Sequence, residues 1–131
     1  MARFSVALLI CLLVSVPVRA AELVMFGAGN CEWCEVWDRE VGGVYAKTAE
    51  AKAAPLRRVD VFTKRPADLT QIKGVRYTPT FVLVDRGREI GRIVGYPGED
   101  FFWELLAGLI KKLPSNAERA CAVGPQGGKT C

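Results

Sequence analysis

Apolar positions along this chain fall into four short runs and three helical stretches, punctuated by glycine and proline. Leu23-Val24-Met25-Phe26 is a continuous apolar run bounded by Gly27-Ala28-Gly29-Asn30, which predicts a short buried strand followed by a loop. From Glu32 to about Lys52, Val36, Trp37, Val41 and Val44, with Tyr45 beside them, recur near helical spacing and predict a helix. Gly42-Gly43 weakens that helix midway and marks a kink, and Pro55 ends the segment. Leu56 to Phe62 carries Val59, Val61 and Phe62 and predicts a strand, while Pro66 to Lys73 predicts a short helix with its proline in the first turn. After Gly74, Thr80 to Asp85 predicts a strand that turns at Arg86-Gly87 and pairs back antiparallel through Glu89 to Val94. The final helix opens on Glu99 and Asp100 and closes on Lys111-Lys112, charges that complement the helix dipole at both ends. Phe101, Phe102, Leu105, Leu106, Leu109 and Ile110 give it a broad apolar face to lay on the sheet, and Pro114 stops it.

The two ends of the chain do not fit this pattern. Arg3, the apolar stretch Val6 to Val16 and the close Val18-Arg19-Ala20 have the form of a cleavable export signal covering residues 1–20. The alternative, an uncleaved anchor, is disfavoured because the apolar run falls short of the ~20 residues that a span requires. Cys11 lies inside that run, away from where a lipidated cysteine would stand. The expected organisation is a signal peptide at 1–20, one domain at 21–113 and a flexible cysteine-containing tail at 114–131. About 110 mature residues suffice for one core. Removing Arg3 and Arg19 lowers the formal charge from +4 to +2, and the basic residues are scattered, so nucleic acid is not an expected partner.

Export leaves Cys31, Cys34, Cys121 and Cys131, an even set suited to an oxidising compartment. Cys31-Glu32-Trp33-Cys34 sits where the first strand passes into the first helix. Cys31 then stands at the helix N-terminus, whose partial positive charge stabilises a thiolate, and Cys34 lies one turn further on, within disulfide reach. The expected order is therefore an exposed, attacking Cys31 and a more buried, resolving Cys34. Glu32 and Glu35 oppose the thiolate and make the reduced form less favoured than in a strongly oxidising enzyme. A structural disulfide, or a four-cysteine metal site with Cys121 and Cys131, is the rival reading of the pair. Such short loops seldom serve stability, and the ten-residue spacing of the tail cysteines matches no ordinary ligand pair. Cys121 and Cys131 themselves admit two readings: a structural disulfide closing the tail, or an auxiliary pair exchanging with Cys31. The chain contains no histidine, which removes Cys-His and Ser-His catalysis and imidazole-bound zinc.

The order β-α-β-α-β-β-α, with CxxC at the first strand–helix junction and Thr78-Pro79 before the third strand, resembles the thioredoxin family over about residues 22–113. The resemblance implies an α/β, three-layer fold with a central mixed sheet of about four strands flanked by helices. It implies a cis Pro79 facing Cys31 and Cys34, with the Thr78 backbone pairing with a substrate chain like an added strand. Trp33, Thr78, Pro79 and Gly95 are the substrate-binding positions it suggests, Trp33 as an exposed docking platform. The absence of histidine argues against the copper chaperones of this fold. Two departures stand out. The familiar Trp-Cys-Gly-Pro-Cys is here Asn30-Cys31-Glu32-Trp33-Cys34, and the family's buried aspartate beneath the resolving cysteine aligns with Met25. The proton of Cys34 must then go to water or to another carboxylate such as Glu32 or Glu35.

More narrowly, the chain is similar to the small periplasmic thioredoxins found with bacterial sulfur-oxidation systems. That similarity implies a periplasmic thiol-disulfide oxidoreductase working as a reductant without a cofactor. Its client would be an oxidised protein, a sulfur carrier whose blocked cysteine must be freed, and its electron donor a membrane thiol transporter. A disulfide-forming or isomerising oxidase of the same fold, or a binding module with a structural CxxC, are the alternatives to test.

Overall fold

The computed structural model describes residues 21–115 and Glu118. The leader at 1–20 and the tail cysteines Cys121 and Cys131 lie outside the described residues. Four strands, β1 (Ala21–Gly27), β2 (Leu56–Asp60), β3 (Thr80–Asp85) and β4 (Arg88–Val94), form one sheet in the order β2-β1-β3-β4. β1 runs parallel to β2 and antiparallel to β3, and β3 runs antiparallel to β4, so the sheet is mixed. β1 and β3 take the interior positions. Their unbroken apolar runs follow from that, because both faces of an interior strand are covered.

Alternation along β1 divides the core in two. Leu23 and Met25 face one side, where they join Trp37, Tyr45, Phe81, Leu83, Phe102 and Leu106. Val24 and Phe26 face the other, with Val59, Leu69, Ile72, Val82 and Val84. The first face is covered by α1 (Glu32–Trp37) and α4 (Glu99–Ile110). Trp37 is its hub: its ring lies 5.2 Å from Phe81, 5.7 Å from Phe102 and 6.2 Å from Tyr45. On α4, Phe102, Leu106 and Leu109 are buried while Phe101 and Leu105 are exposed, so the covering stripe is narrower than the composition suggested. Among the described residues no helix is long and apolar enough to cross a membrane.

Three elements depart from the sequence-based expectation. The predicted helix from Glu32 to Lys52 is four segments: α1, a π-helical turn at Asp38–Gly42, α2 (Gly43–Tyr45) and α3 (Ala49–Ala53). Gly42 does not end the helix. A side chain there would come within 2.8 Å of Asp38 Oδ1 and 3.2 Å of the Trp37 ring, so glycine allows the widened turn to close. The actual break lies at Thr48, whose extended backbone and hydroxyl, accepting from Ala51 N at 3.2 Å, cap a new helix. The predicted helix at 66–73 is a single 3-10 turn, Ala67–Leu69; only Leu69 and Ile72 are buried there, too small a stripe to hold an α-helix on the sheet. β2 ends at Asp60 and not at Phe62, because Asp60 Oδ1 accepts from Phe62 N at 2.7 Å and turns the chain.

The core makes a two-part stability prediction. Phe102 is fully buried between Trp37 and Phe81, so Phe102→Ala should cost about 3–5 kcal/mol in urea unfolding. The Tyr45 hydroxyl donates to Ala54 O at 2.7 Å and ties the end of α3 to the core. Tyr45→Phe leaves that carbonyl without its donor and should cost about 1–2 kcal/mol. Equal losses in the two variants would show that Phe102 does not carry the packing role its burial between Trp37 and Phe81 assigns it.

Candidate active site

β1 delivers the chain to its C-terminal end at Gly27, and the loop 28–30 carries it to the start of α1. Cys31 takes the N-cap position with extended backbone (φ −95°, ψ 98°), and its Sγ accepts from Cys34 N at 3.2 Å. One turn of helix brings the two Cα atoms to 5.2 Å, and the sulfurs are joined in a disulfide. Acidic Glu32 and Glu35 occupy the first turn and are exposed.

In this oxidised form the expected contrast in exposure between the two cysteines is absent. Cys31 is 6% exposed and Cys34 7%. Bridging draws both sulfurs against the helix start, and both join the core of the first face. What distinguishes Cys31 is its place at the free N–H groups of α1, not its accessibility.

Two clefts of about 280 Å³ open around the head of α1. One is lined by Trp33, Thr78, Val94, Gly95, Tyr96 and Pro97. It unites three of the positions named from the sequence. Trp33 is 56% exposed, Thr78 and Gly95 are half-buried, and Tyr77 beside them is exposed. The Thr78–Pro79 peptide is cis, and buried Pro79 accepts from Gly95 N at 2.8 Å through its carbonyl, so the two segments are joined by backbone. The result is a shallow groove of mixed polar and apolar lining, with half-buried Thr78 in its wall, suited to a polypeptide laid across it.

The other cleft is lined by Met25, Gly27, Ala28, Gly29, Cys31, Cys34, Glu35, Asp38, Arg58, Val59 and Asp60. Met25 is buried beneath it. Arg58 crosses from β2, bonding Asp38 with both guanidinium nitrogens, while its Nη1 lies 3.6 Å from Met25 Sδ and its guanidinium 5.5 Å from the Trp37 ring centre. Strand register places Arg58 directly beside Met25.

A further contact ties the two sides together. Tyr96, on the groove loop, donates its hydroxyl to Glu40 Oε2 at 2.6 Å across to the π-helical turn. Burial first, and then the neighbouring Glu40 carboxylate, push the Tyr96 hydroxyl well above its usual range, so it remains a proton donor. Neither the Arg58–Asp38 pair nor the Tyr96–Glu40 bond was visible as a pair in the sequence, since 20 and 56 residues separate the partners. Asp38 alone carried a signal, standing one turn after Cys34 on a predicted helix.

The chain matches the profile of the thioredoxin-like domain over residues 20–109. No curated protein sequence matches it. Among solved structures it is similar to the periplasmic thioredoxin SoxS from Paracoccus pantotrophus in its reduced form. The two are 42% identical with a TM-score of 0.68, over 72% of this chain and 99% of that one. It is also similar to Fasciola hepatica thioredoxin, at 27% identity and a TM-score of 0.52 over 67% of this chain and 79% of that one. A mutant thioredoxin from Halobacterium salinarum matches at 26% identity and a TM-score of 0.53, over 73% of this chain and 80% of that one. With the CxxC at a helix start and a cis proline beside the adjoining groove, these similarities make the chain a member of the thioredoxin-like family and a thiol-disulfide oxidoreductase.

Proposed function

We propose that this protein is an exported reductase of oxidised cysteines on partner proteins, working in the periplasm with Cys31 as attacking thiol and Cys34 as resolving thiol. The observation that carries the reading is the Cys31–Cys34 pair at the N-terminus of α1, beside a groove formed by Trp33, Thr78 and Gly95. Reduced Cys31 attacks a client disulfide; a bond forms from Cys31 Sγ to one client sulfur and the client disulfide breaks, releasing its other sulfur as a thiolate. Cys34 then attacks Cys31 Sγ, the Cys31–Cys34 bond forms and the client thiolate leaves. Two electrons pass from the enzyme to the client, and a dithiol donor in the membrane returns them.

Export is supported by the agreement of two boundaries. The proposed cleavage follows Ala20, and the family match begins at residue 20. The periplasmic setting is supported by the 42% identity to a periplasmic thioredoxin. A sulfur-carrier protein with a blocked cysteine to be freed is the client proposed from the family resemblance. Cys121 and Cys131 are proposed as a structural pair of the tail, separate from this cycle.

Trapping tests the order of attack. Cys34→Ser should accumulate a mixed disulfide with client protein in periplasmic extracts, and Cys31→Ser should accumulate little, read on non-reducing gels. Equal trapping by both variants would remove the assignment of roles.

Direction is tested by potential. Glu32 and Glu35 place negative charge beside the nascent Cys31 thiolate and so favour the disulfide. The pair should equilibrate with glutathione or dithiothreitol at a potential well below the roughly −120 mV of a strong oxidant. Neutralising both, as Glu32→Gln with Glu35→Gln, should raise it by about 10–30 mV, since solvent screens exposed charges and one pKa unit corresponds to about 30 mV. A potential at the strong-oxidant value would favour the disulfide-forming alternative.

Truncation after Leu113 should leave reduction of a small model disulfide within about twofold of the full chain, because the sequence after Pro114 has no apolar periodicity with which to pack on the site. Loss of turnover with the domain still folded would instead make the tail pair a relay.

A further inference from the structure

Cys34 must shed its proton before it can attack, because the thiolate and not the thiol is the nucleophile. The side chain beneath it is Met25, 2% exposed and unable to accept a proton. The cleft on that side is open to Cys34 and holds about 280 Å³, room for several waters. Gly27 keeps its wall bare: a side chain there would stand 3.3 Å from Cys34 Sγ. Three carboxylates and one guanidinium face this cleft, Glu35 and Asp38 from the helical side and Arg58 and Asp60 from β2.

They are not equivalent. Glu35 follows Cys34 directly and projects about 100° further round the helix. Asp60 Oδ1 is engaged by Phe62 N at 2.7 Å. Asp38 lies four residues after Cys34, on the same helical face, and is held in place by both nitrogens of Arg58. Arg58 is itself fixed against Met25 and Trp37. Gly42 leaves Asp38 its room, since a side chain there would crowd Oδ1 at 2.8 Å.

We propose that Asp38, positioned by Arg58, receives the Cys34 proton through the cleft when the mixed disulfide is resolved. It thereby supplies the carboxylate that Met25 does not. This rests on the reading in which Cys31 holds the client and Cys34 resolves it. In the step, the Cys34 S–H proton passes by cleft water to Asp38, the Cys34 thiolate forms a bond to Cys31 Sγ, and the bond from Cys31 to the client sulfur breaks. The client leaves as a thiolate, and Asp38 returns the proton to bulk water at the cleft mouth. Both enzyme sulfurs are oxidised to the disulfide as the client is reduced.

A charge effect and a proton-acceptor effect of Asp38 have opposite signs, which makes the proposal testable. A carboxylate acting only by its charge disfavours the Cys34 thiolate, so removing it would speed resolution at neutral pH. A proton acceptor, once removed, slows it.

The reduced full-length mature protein is mixed in a stopped-flow cell with excess dithiobis(nitrobenzoate), whose coloured thiolate is released once on adduct formation at Cys31 and again on attack by Cys34. The second phase is intramolecular and independent of reagent concentration. In Asp38→Asn it should be about tenfold slower below pH 8 and converge on the wild-type rate above about pH 9, where solvent base suffices. Asp38→Glu should recover the wild-type profile, and Glu35→Gln, which removes a first-turn charge, should show no such slowing below pH 8. A second phase in Asp38→Asn that matches wild type across pH, or runs faster at neutral pH, would overturn the role of Asp38 alone. The same loss in Glu35→Gln with Asp38→Asn unaffected would also overturn it. If the first adduct forms on Cys34, as Cys31→Ser and Cys34→Ser would reveal, the assignment of the two cysteines falls and this inference with it.

Discussion

The burial of β1 on both faces is the constraint from which the site follows. Val24, Phe26, Leu23 and Met25 are each at most 2% exposed, and the strand is paired along both edges, with β2 and with β3. A strand fixed in this way has no freedom of register, because a one-residue slip would exchange the contents of the two cores. Its C-terminal end at Gly27 is therefore set relative to β2 and β3, and so is the short loop that carries Cys31 to the head of α1. Trp37, buried at the far end of α1, anchors the helix that begins with the disulfide against Phe81 and Phe102. The reactive pair is held by packing at both ends of the segment that bears it.

Charge around the pair is arranged in two zones. Glu32 and Glu35, exposed in the first turn of α1, oppose the partial positive charge of the helix start where Cys31 sits. On the other side of Cys34 the Asp38–Arg58 pair is neutral overall and occupies the open cleft above Met25. In the proposed cycle the nucleophile is tuned by the helix and its first turn, while proton handling for the second thiol falls to the adjoining strand and turn. Replacing a buried carboxylate by a methionine with an ion pair at the cleft also avoids the desolvation of a lone charge in the core.

The π-helical turn at Asp38–Gly42 links these zones to the groove lined by Trp33 and Thr78. Widening the helix there sends Asp38 toward Arg58 and Glu40 toward Tyr96, so both sides of the disulfide are braced from the same five residues. Tyr96 in turn lines the groove with Trp33 and Thr78. An irregular helical turn close to reacting groups is a recurrent way of aiming side chains that a regular helix would spread evenly.

Period and punctuation in the chain determined much of this protein. The continuous apolar runs determined the strands, and Thr80–Asp85 appears with the bounds that its composition predicts. Arg86-Gly87 determined the hairpin, both residues taking the positive φ that such a turn requires. Cys31-Glu32-Trp33-Cys34 declared its chemistry through local spacing, since one helical turn suffices to join the sulfurs. Local sequence could not determine the breaks in the first helical region, because a lone Thr48 cap and a crowded Gly42 compete with helix propensity only once Trp37 is packed. Nor could it show that 66–73 lacks enough buried surface to stay helical. The relative exposure of the cysteines and the partners Arg58–Asp38 and Tyr96–Glu40 were decided by tertiary structure alone. These contacts join separate elements of the fold, and only the paired register of β1 with β2 and the closing of α4 over the sheet bring such residues within bonding distance.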